Sequence, residues 1–149
     1  MLFRSATPGP APRAAALISE GRKALDAGQP QTAVDAFEAA LAVDPGYTPV
    51  YLDLAKAART VGMQGKAIRY YRQTLDREPA NYAALSGEGE ALVEKGAVEK
   101  ARRNLTKLQS MCGDSCKETR ALALAIDAGP KAALLTAEAA TPDAAVTQN

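Results

Sequence analysis

The chain has 149 residues, 47% of them hydrophobic but only 5% aromatic, with no Trp and a net charge of +1. That length allows one domain with a sizeable core, and the apolar content excludes a chain disordered throughout. The near-neutral balance gives no concentrated basic face for nucleic acid, and no apolar run reaches the roughly 18 residues of a membrane span. The absence of His removes the commonest general base and metal ligand.

Met1–Ser5 holds no apolar stretch of the kind an export signal needs. Residues 1–13, with Pro8, Pro10 and Pro12, are expected to form a disordered Pro-rich segment. It is either a native end or the remains of a linker where a longer chain was cut. Residues 14–27 are predicted as a first helix, with Leu17, Ile18, Ala24 and Leu25 at helical spacing. Gly28-Gln29-Pro30 breaks it, since Gly suits a left-handed cap and Pro the first turn of the next helix. The helix predicted over 30–43 carries Ala33, Val34, Phe37, Ala40 and Leu41 on one face, and Pro45 stops it.

Helices predicted at 48–61 and 65–77 repeat this plan, closed by Gly62 and Pro79. Helices at 82–95 and 98–111 repeat it again, with Gly96 in the turn and Gly113 at the stop in place of Pro. A further helix at 116–128 turns Leu122, Ala125 and Ile126 one way and Lys117, Glu118 and Arg120 the other. That polarity suits the terminal cap that stacked repeats need. Gly129-Pro130 breaks the pattern, and residues 129–149 are expected to be a short helix at 131–139 or a disordered tail.

A period of 34 residues joins these elements. It relates Gly28, Gly62 and Gly96, then Ala33, Ala67 and Ala101, then Phe37, Tyr71 and Leu105. Such self-similarity predicts an all-α solenoid of antiparallel helix pairs, each burying its apolar face against its neighbours. The units are 14–47, 48–81 and 82–115, with 116–128 as cap, in one domain over 14–128. Gly21, Ala55 and Gly89 on the first helices, and the Ala column on the second, let paired helices approach closely.

These columns resemble the tetratricopeptide repeat family over about residues 14–128. The second unit matches best, through Tyr51, Leu54, Ala55, Ala58, Gly62, Ala67, Tyr71 and Pro79; the first matches through Gly21, Gly28, Ala33, Phe37, Ala40 and Pro45. The third departs, with Leu105 in the aromatic place and Gly113 in the Pro place. The resemblance implies a right-handed superhelix whose first helices line a concave peptide-binding groove. By position, the groove residues are Ile18, Arg22 and Asp26, then Leu52, Asp53, Lys56 and Arg59, then Ser86, Glu90, Val93 and Glu94. The groove would be basic at one end, through Arg22, Lys56 and Arg59, and acidic at the other, through Glu90 and Glu94. That suits an extended segment of mixed charge. The alternative is a set of solvated faces with no specific partner. The carboxylate clamp of chaperone-tail adaptors in this family is not expected, because Ile18, Arg22, Asp53, Ala83 and Gly87 occupy its places.

Cys112 and Cys116 flank a turn of Gly113-Asp114-Ser115. A disulfide, two reduced thiols, and metal or redox chemistry are the alternatives. The disulfide is preferred: it would contribute about 2 kcal/mol by loop entropy, fix the cap helix, and imply an oxidising compartment such as a periplasm. The pair also resembles a paired-Cys turn before the cap helix of exported bacterial tetratricopeptide proteins. A zinc site needs about four ligands, which two Cys without His do not supply. The expectation is therefore a non-catalytic interaction module of the cell envelope, with scaffold or assembly work, a protein or peptide partner, and no metal or cofactor. The alternatives are a cytoplasmic location and an accessory domain of a longer envelope protein or enzyme. An enzyme would have to work through Asp53, Glu90 and Glu94, which lie on different units without a nucleophile.

Overall fold

The computed structural model describes residues 9–140, with side chains through Pro130. Residues 1–8 and the expected tail at 141–149 lie outside it. Seven helices follow in order: α1 Pro12–Asp26, α2 Pro30–Val43, α3 Pro49–Thr60, α4 Gln64–Arg77, α5 Tyr82–Glu94, α6 Val98–Cys112 and α7 Lys117–Ala140. No strand occurs among the described residues.

Two boundaries differ from the sequence expectation. Pro12 opens α1 rather than ending the segment before it, because a first-turn Pro has no backbone bond to lose. The Ala11 amide donates to Asp44 Oδ2 at 3.0 Å, tying this start to the end of α2. At the other end, the helical run continues to Ala140, with one residue of non-helical backbone at Gly129 (φ 71°, ψ 176°). Pro130 follows, and the chain bends there.

The turns inside each helix pair are one motif used three times. The amides of Gln29, Met63 and Ala97 donate back to the carbonyls of Ala24, Ala58 and Leu92 at 2.8–2.9 Å. The amides of Gly28, Gly62 and Gly96 donate to Leu25, Arg59 and Val93. This cap places its central residue at positive φ, and those three glycines have φ of 72°, 82° and 87°. The 34-residue Gly column is thus a backbone requirement.

The chain divides into two compact units, one ending at Pro79 and one beginning at Ala80. In the first, Ile18, Val34, Phe37, Val50 and Leu54 form a buried core with Ala24, Ala33, Ala40 and Ala57 between them. Phe37 is fully buried, and a Cβ added at Gly21 would lie 2.5–2.9 Å from its ring atoms. Tyr71, in the same column, is also buried. Between α2 and α4, Glu38 Oε1 accepts from the Tyr70 hydroxyl at 3.2 Å and pairs with Lys66. Burial, aided by Glu38, pushes the Tyr70 phenol up; the hydrogen bond to Glu38 raises the Lys66 ammonium. The Arg77 guanidinium lies 4.5 Å from the centre of the Tyr51 ring, and the Tyr51 hydroxyl donates to the Pro45 carbonyl at 3.3 Å.

In the second unit α5 packs against both α6 and α7. Leu85, Leu92, Leu108, Leu122 and Ile126 are buried, and the Asn104 amide donates to the Leu85 carbonyl at 3.1 Å. Leu105, in the aromatic column, is only half-buried. The close approach at Gly89 is made instead by Leu122 of α7, whose Cδ atoms lie 2.6 Å from where a Cβ would stand.

Gly21→Ala should lower unfolding stability by about 1–3 kcal/mol despite the better helix propensity of Ala, because the buried Phe37 ring cannot retreat. Urea melts would show this, and adding Phe37→Leu should recover part of the loss. Lys66 and Tyr70 both bind their protons more tightly when folded. Their contribution is therefore full below the ordinary values of 10.5 and 10.0 and is lost as pH rises through the raised folded values. Between about pH 10 and about pH 12 the urea midpoint should fall more steeply in the wild type than in Glu38→Gln.

Candidate functional site

In the first unit a depression of about 300 Å³ runs along α1, lined by Ala15, Ile18, Ser19, Arg22, Lys23 and Asp26, with Pro10 and Tyr47 at its sides. The helix explains most of this lining. Ala15, Ser19, Arg22 and Asp26 recur at intervals of four, three and four, which places them in one stripe. Tyr47 comes from the α2–α3 connection and Pro10 from the segment before α1. Such a lining offers apolar wall, two hydroxyl residues, two cations and one carboxylate.

Ile18, Arg22 and Asp26 all line this depression. Ile18 is 4% exposed and also belongs to the core, so it offers only an edge. Arg22 reaches from α1 to α3, where its Nη2 lies 2.8 Å from Asp53 Oδ2. The Asp53 hydrogen bond raises the Arg22 guanidinium further above its ordinary value. Two residues assigned to the groove are therefore partners of each other, and the basic end expected from Arg22, Lys56 and Arg59 is partly neutralised. Leu52 and Arg59 are half-buried, and Lys56 is exposed.

The four positions from the second unit stand differently. Ser86 and Val93 are 5% and 2% exposed. The Ser86 hydroxyl is 3.1 Å from both Glu90 Oε1 and the Glu118 backbone carbonyl. Ser86 is thus turned toward α7. Glu90 and Glu94 are half-buried.

Sequence reasoning omitted Ser19 and Lys23, although the Ala15–Ser19–Arg22–Asp26 stripe signals the first and Lys23 adjoins it. No local pattern points to Tyr47, whose place follows from the path of the chain between α2 and α3. Cys112 and Cys116 stand with their sulfurs in contact and their Cα atoms 5.8 Å apart, within the span of a disulfide. Among the described residues, no group of three or more Cys, Asp or Glu is arranged to hold a metal ion. No helix there is long and apolar enough to cross a membrane.

Truncating Arg22 and Asp53 singly and together should give a coupling energy of no more than about 1 kcal/mol in urea melts, because the Arg22 side chain is 56% exposed.

Residues 24–60 match the family described as tetratricopeptide repeat. No curated protein matches the chain by sequence. Among solved structures, the Sgt2 TPR domain from Aspergillus fumigatus is similar at 23% identity and a TM-score of 0.70, over 95% of this chain and 92% of that one. The Yersinia enterocolitica type III secretion chaperone SycD, solved with a peptide of the translocator YopD, is similar at 20% identity and a TM-score of 0.66, over 83% of this chain and 93% of that one.

Proposed function

We propose that the chain, whose residues 24–60 match the tetratricopeptide repeat family and whose fold is that of a solved tetratricopeptide-repeat domain, is a non-catalytic interaction module. Its first unit takes a peptide segment or partner helix along the α1 depression. The observation that carries this reading is the lining itself: Ala15 and Ile18 beside Ser19, Arg22, Lys23 and Asp26 in a space of about 300 Å³. The SycD structure, which holds a peptide of YopD, supports a polypeptide as the ligand class. Leu52, Asp53, Lys56 and Arg59 on α3 extend the contact, and the cations favour a segment bearing acidic residues. Of the positions assigned on α5, Ser86 and Val93 are buried and offer no such contact, and Glu90 and Glu94 are half-buried. The role is scaffolding or assembly. The Cys112–Cys116 spacing supports an oxidising compartment such as the cell envelope.

The test is capture of partners from the native source by immobilised protein. Reversing Arg22, Lys56 and Arg59 to Glu should reduce recovery of the partner by at least about tenfold and make the remainder less sensitive to salt. Arg22→Gln with Lys56→Gln and Arg59→Gln, which creates no repulsion at Asp53, should lose a smaller part of it. Undiminished capture by both variants would place binding away from these helices.

A further inference from the structure

We propose that Cys112 and Cys116 form a redox latch that holds α7 down on α5. The pair bridges the last residue of α6 and the residue before α7, so an S–S bond ties the root of α7 directly to the end of α6. Both cysteines are half-buried beside the exposed Asp114 and Ser115, within reach of a reductant in solution.

Among the described residues of α7, Thr119, Leu122 and Ile126 are the side chains fully or nearly withdrawn from solvent, and they form the contact that the latch holds. Leu122 fills the notch left by the missing side chain of Gly89, and the Glu118 carbonyl accepts from Ser86. Opposite them Leu124 is 69% exposed among the exposed Lys117, Arg120 and Asp127.

The latch and the contact meet in two residues. Glu118 offers its backbone carbonyl to Ser86, while its Oε2 lies 3.0 Å from Cys116 Sγ. Thr119 is buried, with its Oγ1 3.4 Å from Cys112 Sγ. On reduction the two S–H groups have the Glu118 carboxylate and the Thr119 hydroxyl close by as polar neighbours.

Reduction needs a dithiol. Its thiolate attacks one sulfur of the pair, the S–S bond breaks, and the departing sulfur takes a proton. The second thiol of the reductant then displaces the first protein sulfur, which is protonated in turn. Two electrons and two protons pass to the protein, and the dithiol leaves as its own disulfide. Freed of the tether, α7 gains the chain entropy that the short loop denied it and opens from α5 more often. The uncovered face, with its Gly89 notch and the Ser86 hydroxyl, fits an amphipathic helix of the α7 kind bearing a branched aliphatic residue.

Hydrogen exchange on the full chain, with and without dithiothreitol, tests this without any partner and independently of the α1 face. Amides of residues 117–126 should exchange at least about tenfold faster after reduction, while those of α1–α4 stay as they were. A labelled peptide of residues 117–128 should bind the reduced chain and not the oxidised one. Cys112→Ser with Cys116→Ser should behave as the reduced chain under either condition. Equal α7 rates in both states, acceleration spread evenly over α1–α4, or an air-oxidised protein whose mass retains both thiol hydrogens would each overturn the proposal.

Discussion

Close approach of helices at positions without a side chain is the constraint on which the rest depends. Phe37 is fully buried because Gly21 leaves room for its ring, and Leu122 is fully buried because Gly89 does the same. With few aromatics and no Trp, a core of Ala, Val and Leu reaches interior density only if backbones come near each other. The buried alanines of both units serve this end. Glycine at two of these positions lowers helix propensity by about 1 kcal/mol each, which the burial of one large side chain offsets.

That constraint also distributes surface between packing and binding. In the first unit the Gly21 notch is filled by Phe37 of the following helix, and the stripe beside it, from Ala15 to Asp26, borders an open depression. In the second unit the Gly89 notch is filled by Leu122, and α7 lies on α5 where Ser86 stands. The same repeat position therefore serves a neighbour within the pair in one place and a following helix in another. The exchange accompanies the loss of an aromatic residue at Leu105, which leaves that position only half-buried.

Charge plays a local part. Arg22 and Asp53 join α1 to α3 at the surface, and Glu38 gathers Lys66 and Tyr70 between α2 and α4. Each pairing uses residues 31, 28 or 32 positions apart, from helices two elements distant. A sequence reading that assigns each charge to solvent or ligand misses such matches, because the partner lies outside the local window. Arg22 and Asp53 were both legible as members of one face, yet their mutual pairing was not.

The 34-residue period determined the helices, the turns between paired helices and the columns of small residues, because each arises from backbone geometry or from contacts with neighbouring elements. Left-handed glycines, first-turn prolines and apolar spacing are all local, and they placed every described helix, with the starts and ends of α1 through α6 within about two residues. The family likeness followed from the same columns. Only the tertiary structure decided which of the assigned groove positions border open space. Ile18 is drawn into the core, Arg22 is held by Asp53, and Ser86 is bonded to the backbone of α7. Tyr47 joins the depression from a connection whose path no periodicity describes. The physical reason is that burial of a given position depends on which helix fills the adjacent notch. That choice rests on side-chain volume at distant places such as Phe37, Leu105 and Leu122.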